Sequence, residues 1–279
     1  MHSSNPVFSR SAGFNGRGSS NASGNQTYPG YGAQGSSDPS TWGIGTPGQP
    51  GPPTTVDRGP MTIDSVVQKT GITLGLVVLT AALVWVFLPP SLFTMAWMGG
   101  AFGGLGLALV ISFKKTISPA LVMGYAVVEG FFIGAMSKTF QDVFGDGVVT
   151  GAVVGTVAAV AGTLAAYKFF NITVTPKFRK FVMCAMFGFL ALVLMDFVLG
   201  FFGAAIGFNG FGGLGLIMSV VGLAIGIFML ILDFDFVERG VAAGLPEVES
   251  WRAAFGLTVT IIWIYIEILR ILAILRGSD

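Results

Sequence analysis

Four carboxylic acids interrupt the apolar runs of this 279-residue chain, at Glu129, Asp196, Asp233 and Glu267. A carboxylate in a hydrocarbon environment costs at least a few kcal/mol, so such an acid is a functional candidate by default. It can bind a proton or attract a cation, and these are the two kinds of chemistry that the chain offers first.

Glu129 and Asp196 each have a structural interpretation of equal weight. Tyr125 lies one turn before Glu129 on the same helix face, from which its hydroxyl can donate a hydrogen bond. Asp196 lies within another apolar run. For both acids, a hydrogen bond that only holds helices together is as good an interpretation as a functional role.

The acids near the chain's C-terminal third form two groups. Asp233 is the deepest of a charged group at the inner end of its apolar run, and the others read as a solvated helix end: Asp235, Glu238, Arg239. Glu267 is followed one turn later by Arg270, and this i,i+3 spacing permits an internal ion pair that merely helps the helix to insert.

Other kinds of chemistry have little support. The one histidine is His2, which argues against histidine-based catalysis and histidine-ligated metals. The one cysteine, Cys184, lies in an apolar run and reads as packing. No phosphate loop or nucleophile elbow is present, and Phe144–Gly147 only faintly echoes an aspartyl-protease motif. We therefore expect no enzymatic activity and no cofactor.

Composition indicates what surrounds the acids. Hydrophobic residues make up 53% of the chain and charged residues 10%, whereas soluble domains carry about 25% charged residues. The formal net charge of +1 gives no reason to expect a nucleic-acid partner. The surface must therefore face mainly the lipid bilayer.

A membrane-spanning helix needs about 20 apolar residues. Pro89 and Pro90 divide the first uncharged stretch into two segments of that length. The sequence predicts an all-α bundle with seven spans, at residues 70–88, 91–113, 117–137, 147–167, 181–202, 213–237 and 253–275.

Residues 1–60 differ in composition from the rest. They are rich in Gly, Ser, Asn and Pro, and such a segment cannot bury enough apolar surface to offset its ordering entropy. We predict a disordered, cytoplasmic tail over residues 1–60 and a seven-helix domain over residues 61–279.

Basic residues predict the orientation, because they are retained on the cytoplasmic side. They concentrate after the second and fourth spans, at Lys114, Lys115, Lys168, Lys177, Arg179 and Lys180. We therefore expect a multi-pass protein of the cell membrane with its N-terminus in the cytoplasm and its C-terminus outside. Arg276 opposes this arrangement weakly.

Three segments resemble the Bax inhibitor-1-like family, also called the transmembrane BAX inhibitor motif family. Residues 119–134 (PALVMGYAVVEGFFIG) resemble its third helix, residues 230–240 (LILDFDFVERG) the end of its sixth, and residues 263–275 (WIYIEILRILAIL) its last. The three occur in the expected order. Two differences stand out: Asp235 takes the place of a usual glutamine, and Glu267 that of a usual aspartate.

The resemblance implies a pH-responsive calcium leak channel, in which one acid on each of the last two helices shares a proton. By position these are Asp233 and Glu267, with Asp235 and Arg270 beside them, and the pair is also a candidate transient calcium site. Two nearby carboxyls in a low dielectric cannot both ionise cheaply, and proton loss adds repulsion that separates helices. Carboxylate oxygens also suit calcium.

Two matters stay open at this point. Glu267 lies deeper in its span than Asp233, so the two meet only if span seven begins later or tilts, or if span six extends inward. Relatives in the family also act as regulators, so the alternative function is a non-conducting regulator that binds a membrane protease or another membrane-protein partner.

Overall fold

The structure is a computed structural model that describes residues 59–277. It contains seven α-helices in the described range: α1 Ile63–Phe87, α2 Phe93–Phe113, α3 Pro119–Phe144, α4 Val148–Phe169, α5 Pro176–Phe201, α6 Gly213–Ala242 and α7 Glu249–Gly277. Each is long and apolar enough to cross a membrane. The predicted all-α fold with seven spans is confirmed, although most helices extend beyond the predicted apolar segments.

Local sequence signals set the helix ends. Thr62 caps α1, because its side chain accepts a hydrogen bond from the Ser65 backbone while the Ser65 side chain bonds back to Thr62. Prolines occupy the first position of α3 and α5, where a missing N–H does no harm. Pro89 and Pro90 separate α1 from α2 through a short 3-10 turn.

Helix α7 lies at the centre of the bundle. It packs against α1, α3, α4 and α6, whereas α2 packs on α3, and α5 packs on α6. The largest buried cluster joins Tyr265 and Leu269 of α7 to Met136 and Phe140 of α3. The peripheral helices α2 and α5 expose large apolar side chains, such as Phe102 and Phe187, as expected for surfaces that face lipid.

Contacts between loops and helix ends show which segments share one end of the bundle. At this end, Lys69 of α1 forms an ion pair with Glu247, Arg252 donates to the Lys115 carbonyl, and Arg239 donates to the Val174 carbonyl. This basic end therefore contains the start of α1 and the loops at residues 114–118, 170–175 and 243–248. The basic residues from which the sequence predicted the cytoplasmic side therefore lie at this one end. That this end faces the cytoplasm stays a prediction.

The chain is already ordered just before α1. Met61 is buried, and its N–H donates to the Leu245 carbonyl at 2.6 Å. The Gly59 carbonyl accepts from the Glu247 N–H at 3.0 Å, and Pro60 pairs with Pro246. Packing thus begins slightly before the predicted boundary at residue 61. The rest of the predicted tail, residues 1–58, lies outside the described residues.

Candidate functional site: acids between the helices

Asp233 lies at the interface of α6 and α7. Its Oδ2 accepts a 2.6 Å hydrogen bond from the Thr260 hydroxyl. A Cβ added at Gly256, one turn earlier on α7, would lie 3.5 Å from Asp233 Oδ1. No basic side chain in the described residues forms an ion pair with Asp233, so a hydroxyl is its only side-chain partner.

Glu267 lies in a different environment, beside Arg270. The two side chains form an ion pair at 3.4 Å and are only 7% and 12% exposed. Arg270 also donates to the Phe208 carbonyl at 3.2 Å. Glu267 faces Gly222 of α6, where an added Cβ would lie 2.6 Å from Oε1. The internal i,i+3 ion pair, which was one interpretation of the sequence, is therefore present.

The predicted direct pairing of Asp233 with Glu267 is wrong in this structure. Asp233 lies across from Thr260, and Glu267 lies across from Gly222. Along α6 the separation between Gly222 and Asp233 is about 16 Å, and along α7 the separation between Thr260 and Glu267 is about 10 Å. The sequence left the pairing possible if α6 extended further inward or if α7 began later. Helix α6 does extend inward, to Ala242, but α7 begins earlier than predicted, at Glu249. The two carboxyls cannot share one proton or one calcium ion directly.

Asp235 is buried, and the interpretation of it as a solvated helix end is wrong. Arg179 of α5 binds Oδ2 at 2.8 Å, and Arg239 binds Oδ1 at 2.9 Å. Glu238, by contrast, is exposed and accepts a 2.7 Å hydrogen bond from Tyr167. Asp235 thus connects α5 and α6 at the basic end and is neutralised by two cations.

Asp196 organises the loop between α5 and α6. Its carboxylate accepts backbone hydrogen bonds from Ile206 at 2.7 Å, Gly207 at 3.0 Å and Asn209 at 2.8 Å. The residue is 3% exposed. Three donors satisfy this charge, so the structural interpretation of Asp196 accounts for its burial.

Glu129 resembles Asp233 in having no cation beside it. It is buried between α2 and α3, and the Tyr125 hydroxyl faces its carboxyl. Gly104 of α2 lies directly over it, since an added Cβ would lie 2.5 Å from Oε2. Within the described residues Glu129 forms no ion pair.

Glu129 and Asp233 lie at a similar depth along α7. Tyr125 packs edge-on against Phe255 of α7, and Glu129 is one helical turn further along α3. That turn brings Glu129 to about the level of Val259, adjacent in the chain to the Thr260 that binds Asp233. Glu129 and Asp233 therefore occupy one layer of the bundle, and among the acids packed between helices in the described residues these two have neither a cationic partner nor backbone donors.

Several residues of this layer could not be identified from sequence. Thr260 carries no distinguishing local pattern. Gly104 does belong to a pair of glycines four residues apart, with Gly100, and this spacing lets helices approach closely. The spacing does not say which helix approaches, because α3 comes later in the chain. Lys69 is different, because a basic residue at the edge of an uncharged stretch needs an acidic partner. Its position in the sequence could therefore have predicted an ion pair such as the one with Glu247. In residues 59–277, no group of three or more His, Cys, Asp or Glu side chains could hold a metal ion.

Comparison with known proteins identifies a matching family and a relative. The sequence model of a family described as Bax inhibitor 1 like matches residues 5–277. An uncharacterized protein of Chlamydia muridarum is 29% identical over 154 residues, which cover 53% of this chain and 61% of that relative. The chain thus spans less than two thirds of the length of this relative.

Proposed function

The chain belongs to the Bax inhibitor 1 like family of membrane proteins, and from this premise we propose that it is a pH-responsive leak channel for calcium or another cation. The cation is the cargo, so the proposal requires neither a cofactor nor an enzymatic step. The titrating groups are assigned to Asp233 and Glu129 rather than to a pair formed by Asp233 and Glu267.

The observation that supports this proposal is the layer of two carboxyls without cationic partners. A carboxylate held in the bundle needs a compensating positive charge, since isolated charges in a low dielectric are costly. Backbone N–H groups compensate the charge of Asp196, and arginine side chains compensate the charges of Asp235 and Glu267. Asp233 and Glu129 have hydroxyl groups beside them, so a proton or a mobile cation is left to supply the charge.

Competition between a proton and a cation explains the pH dependence. At low pH each carboxyl carries a proton, and the layer is neutral and attracts no cation. At higher pH the carboxylates need another positive partner, and calcium prefers the oxygen ligands that Asp233 and Thr260 offer. The leak should therefore increase as the layer loses its protons.

The ion pair of Glu267 with Arg270 supplies the barrier beyond this layer. It lies about 10 Å further along α7 than Thr260, and the Phe208 carbonyl caps it. Because this ion pair is neutral overall, it offers no uncompensated carboxylate to a cation that leaves Asp233 in that direction. Opening then requires the pair and the loop at residues 202–212 to move.

Calcium flux into proteoliposomes, measured against pH with purified protein, tests the proposal. Asp233→Asn and Glu129→Gln keep the side-chain shapes, and each should flatten the pH profile. Asp142→Asn is the matched control, because Asp142 is a half-exposed acid that pairs with Lys138 on the helix surface. Thermal melting in detergent establishes that all three variants are folded.

Two results would contradict the proposal. Unchanged pH profiles in both Asp233→Asn and Glu129→Gln would remove this layer as the sensor. The absence of any flux from a folded wild-type protein would argue against a channel and favour a regulator that binds another membrane protein.

A further inference from the structure

A groove open to the membrane runs between α4 and α5. The backbones of these two helices do not come within packing distance, and each packs on α6. Ile225 and Met229 of α6 face α5, and Leu223 faces α4. Between these two sides, α6 presents an exposed apolar stripe that forms the groove floor: Ile217, Val220, Val221 and Ala224.

The loop at residues 170–175 closes the groove at the basic end. It crosses from the end of α4 to the start of α5, over the outward face of α6. Ile172 and Val174 of the loop pack with Ile231 and Leu232 of α6. The groove is therefore a slot with an apolar floor, open along the membrane and closed at one end by a short loop.

Unpaired positive charge surrounds the closed end. Lys168, Lys177 and Lys180 are exposed and form no ion pair in the described part of the chain. No acid occurs between residues 168 and 180. Two acids of α6 lie nearby. Asp235 is occupied by Arg179 and Arg239, and Glu238 accepts a hydrogen bond from Tyr167. The three lysines outnumber the one acid without an arginine, so this end keeps an excess of positive charge.

Exposed phenylalanines indicate the depth of this end. Phe169 and Phe170 are 84% and 79% exposed at the end of α4, and Phe181 is 61% exposed in α5. Such large apolar rings cannot stand in water at no cost, so we place them in the outer part of the hydrocarbon. The neighbouring ammonium groups then lie at the level of the lipid headgroups.

We propose that this groove binds an anionic phospholipid of the surrounding leaflet. Its phosphate lies among Lys168, Lys177 and Lys180, and an acyl chain lies along Val221 and Ala224. Basic pockets between membrane helices suit anionic headgroups, and the apolar floor suits the chain. Neither feature depends on the leak proposed above, so this lipid site is independent of ion conduction.

Native mass spectrometry of the full protein in detergent tests the site, with phosphatidylglycerol and phosphatidylcholine as probes of matched chain length. The wild-type protein should retain phosphatidylglycerol preferentially. The double variant Lys177→Gln/Lys180→Gln should weaken that retention by roughly fivefold for each lysine removed. Lys114→Gln/Lys115→Gln is the matched control, since it removes the same charge from another exposed loop of the basic end.

A second pair of variants tests the groove itself. Val221→Trp fills the floor without changing charge and should also reduce phosphatidylglycerol retention. Leu105→Trp, at another exposed apolar position, on α2, should not. Three results would each overturn the proposed site. They are equal losses of phosphatidylglycerol retention in the two double lysine variants, unchanged retention in Lys177→Gln/Lys180→Gln, and normal retention in Val221→Trp.

Discussion

Thr260 and Asp233 are joined across the α6–α7 interface by a 2.6 Å hydrogen bond, in which the threonine hydroxyl donates to the carboxyl. This bond fixes the rotation of both helices about their axes, because each residue points at the other. Gly256 completes the contact by leaving room beside Oδ1. The pocket around Asp233 therefore contains small and hydroxylated residues.

Removing the Thr260 hydroxyl should destabilise the bundle. Thr260→Val keeps the shape but leaves the Asp233 carboxyl without its donor, at a cost of about 1–3 kcal/mol. Thr260→Ser should stay close to wild type. Thr163→Val is the control, because among the described residues the Thr163 hydroxyl bonds to the Ala159 carbonyl of its own helix and to no other helix. Unfolding free energies in detergent measure the difference, and equal stability of Thr260→Val and Thr260→Ser would contradict the role of the bond.

The two arginines on Asp235 should act redundantly. Each is about half exposed, so Arg179→Gln or Arg239→Gln alone should cost no more than about 1 kcal/mol. The double variant leaves the buried Asp235 without a cation and should cost more than the sum of the singles. Unfolding free energies for this double-mutant cycle measure the excess, and simple additivity would show that one arginine alone serves Asp235.

Two glycines of α2 should respond in opposite directions to alanine. An added Cβ at Gly104 would lie 2.5 Å from Glu129 Oε2, whereas at Gly106 nothing lies within 4 Å. Gly104→Ala should lower the melting temperature, because the carboxyl or the helix must move. Gly106→Ala should be neutral or stabilising by up to about 1 kcal/mol. Thermal melting measures both, and a harmless Gly104→Ala would show that the Glu129 carboxyl is not fixed in the position that faces Gly104.

The sequence predicted the helices well and the contacts between them poorly, for a physical reason. Hydrophobic length and the Pro89–Pro90 break determine where spans occur, and the i,i+3 spacing of Glu267 and Arg270 is local. The register of α6 against α7 is not local. It depends on which small residues, such as Gly222, allow the helices to approach. The burial of Asp235 likewise depends on Arg179, which comes from another helix.

The orientation of the bundle is a separate prediction. After Cys184, which is exposed, is replaced by alanine, single cysteines at Thr173 and Ala204 occupy loops at opposite ends. The positive-inside rule predicts that Thr173→Cys in intact cells resists a membrane-impermeant thiol reagent and that Ala204→Cys reacts. Labelling after permeabilisation is the control. The reverse pattern would place the basic end outside.

The separation of Asp233 from Glu267 predicts that they act independently. Sites more than about 10 Å apart without shared partners add within about 0.5 kcal/mol in unfolding free energy. The effects of Asp233→Asn and Glu267→Gln should therefore sum in the double variant. Glu267→Gln should be the more destabilising single change, because it leaves the buried Arg270 without its carboxylate. Unfolding free energies of the two singles and the double give the coupling energy. A coupling well above 1 kcal/mol would mean that the two carboxyls meet in a conformation with another α6–α7 register, and it would restore them as one titrating pair.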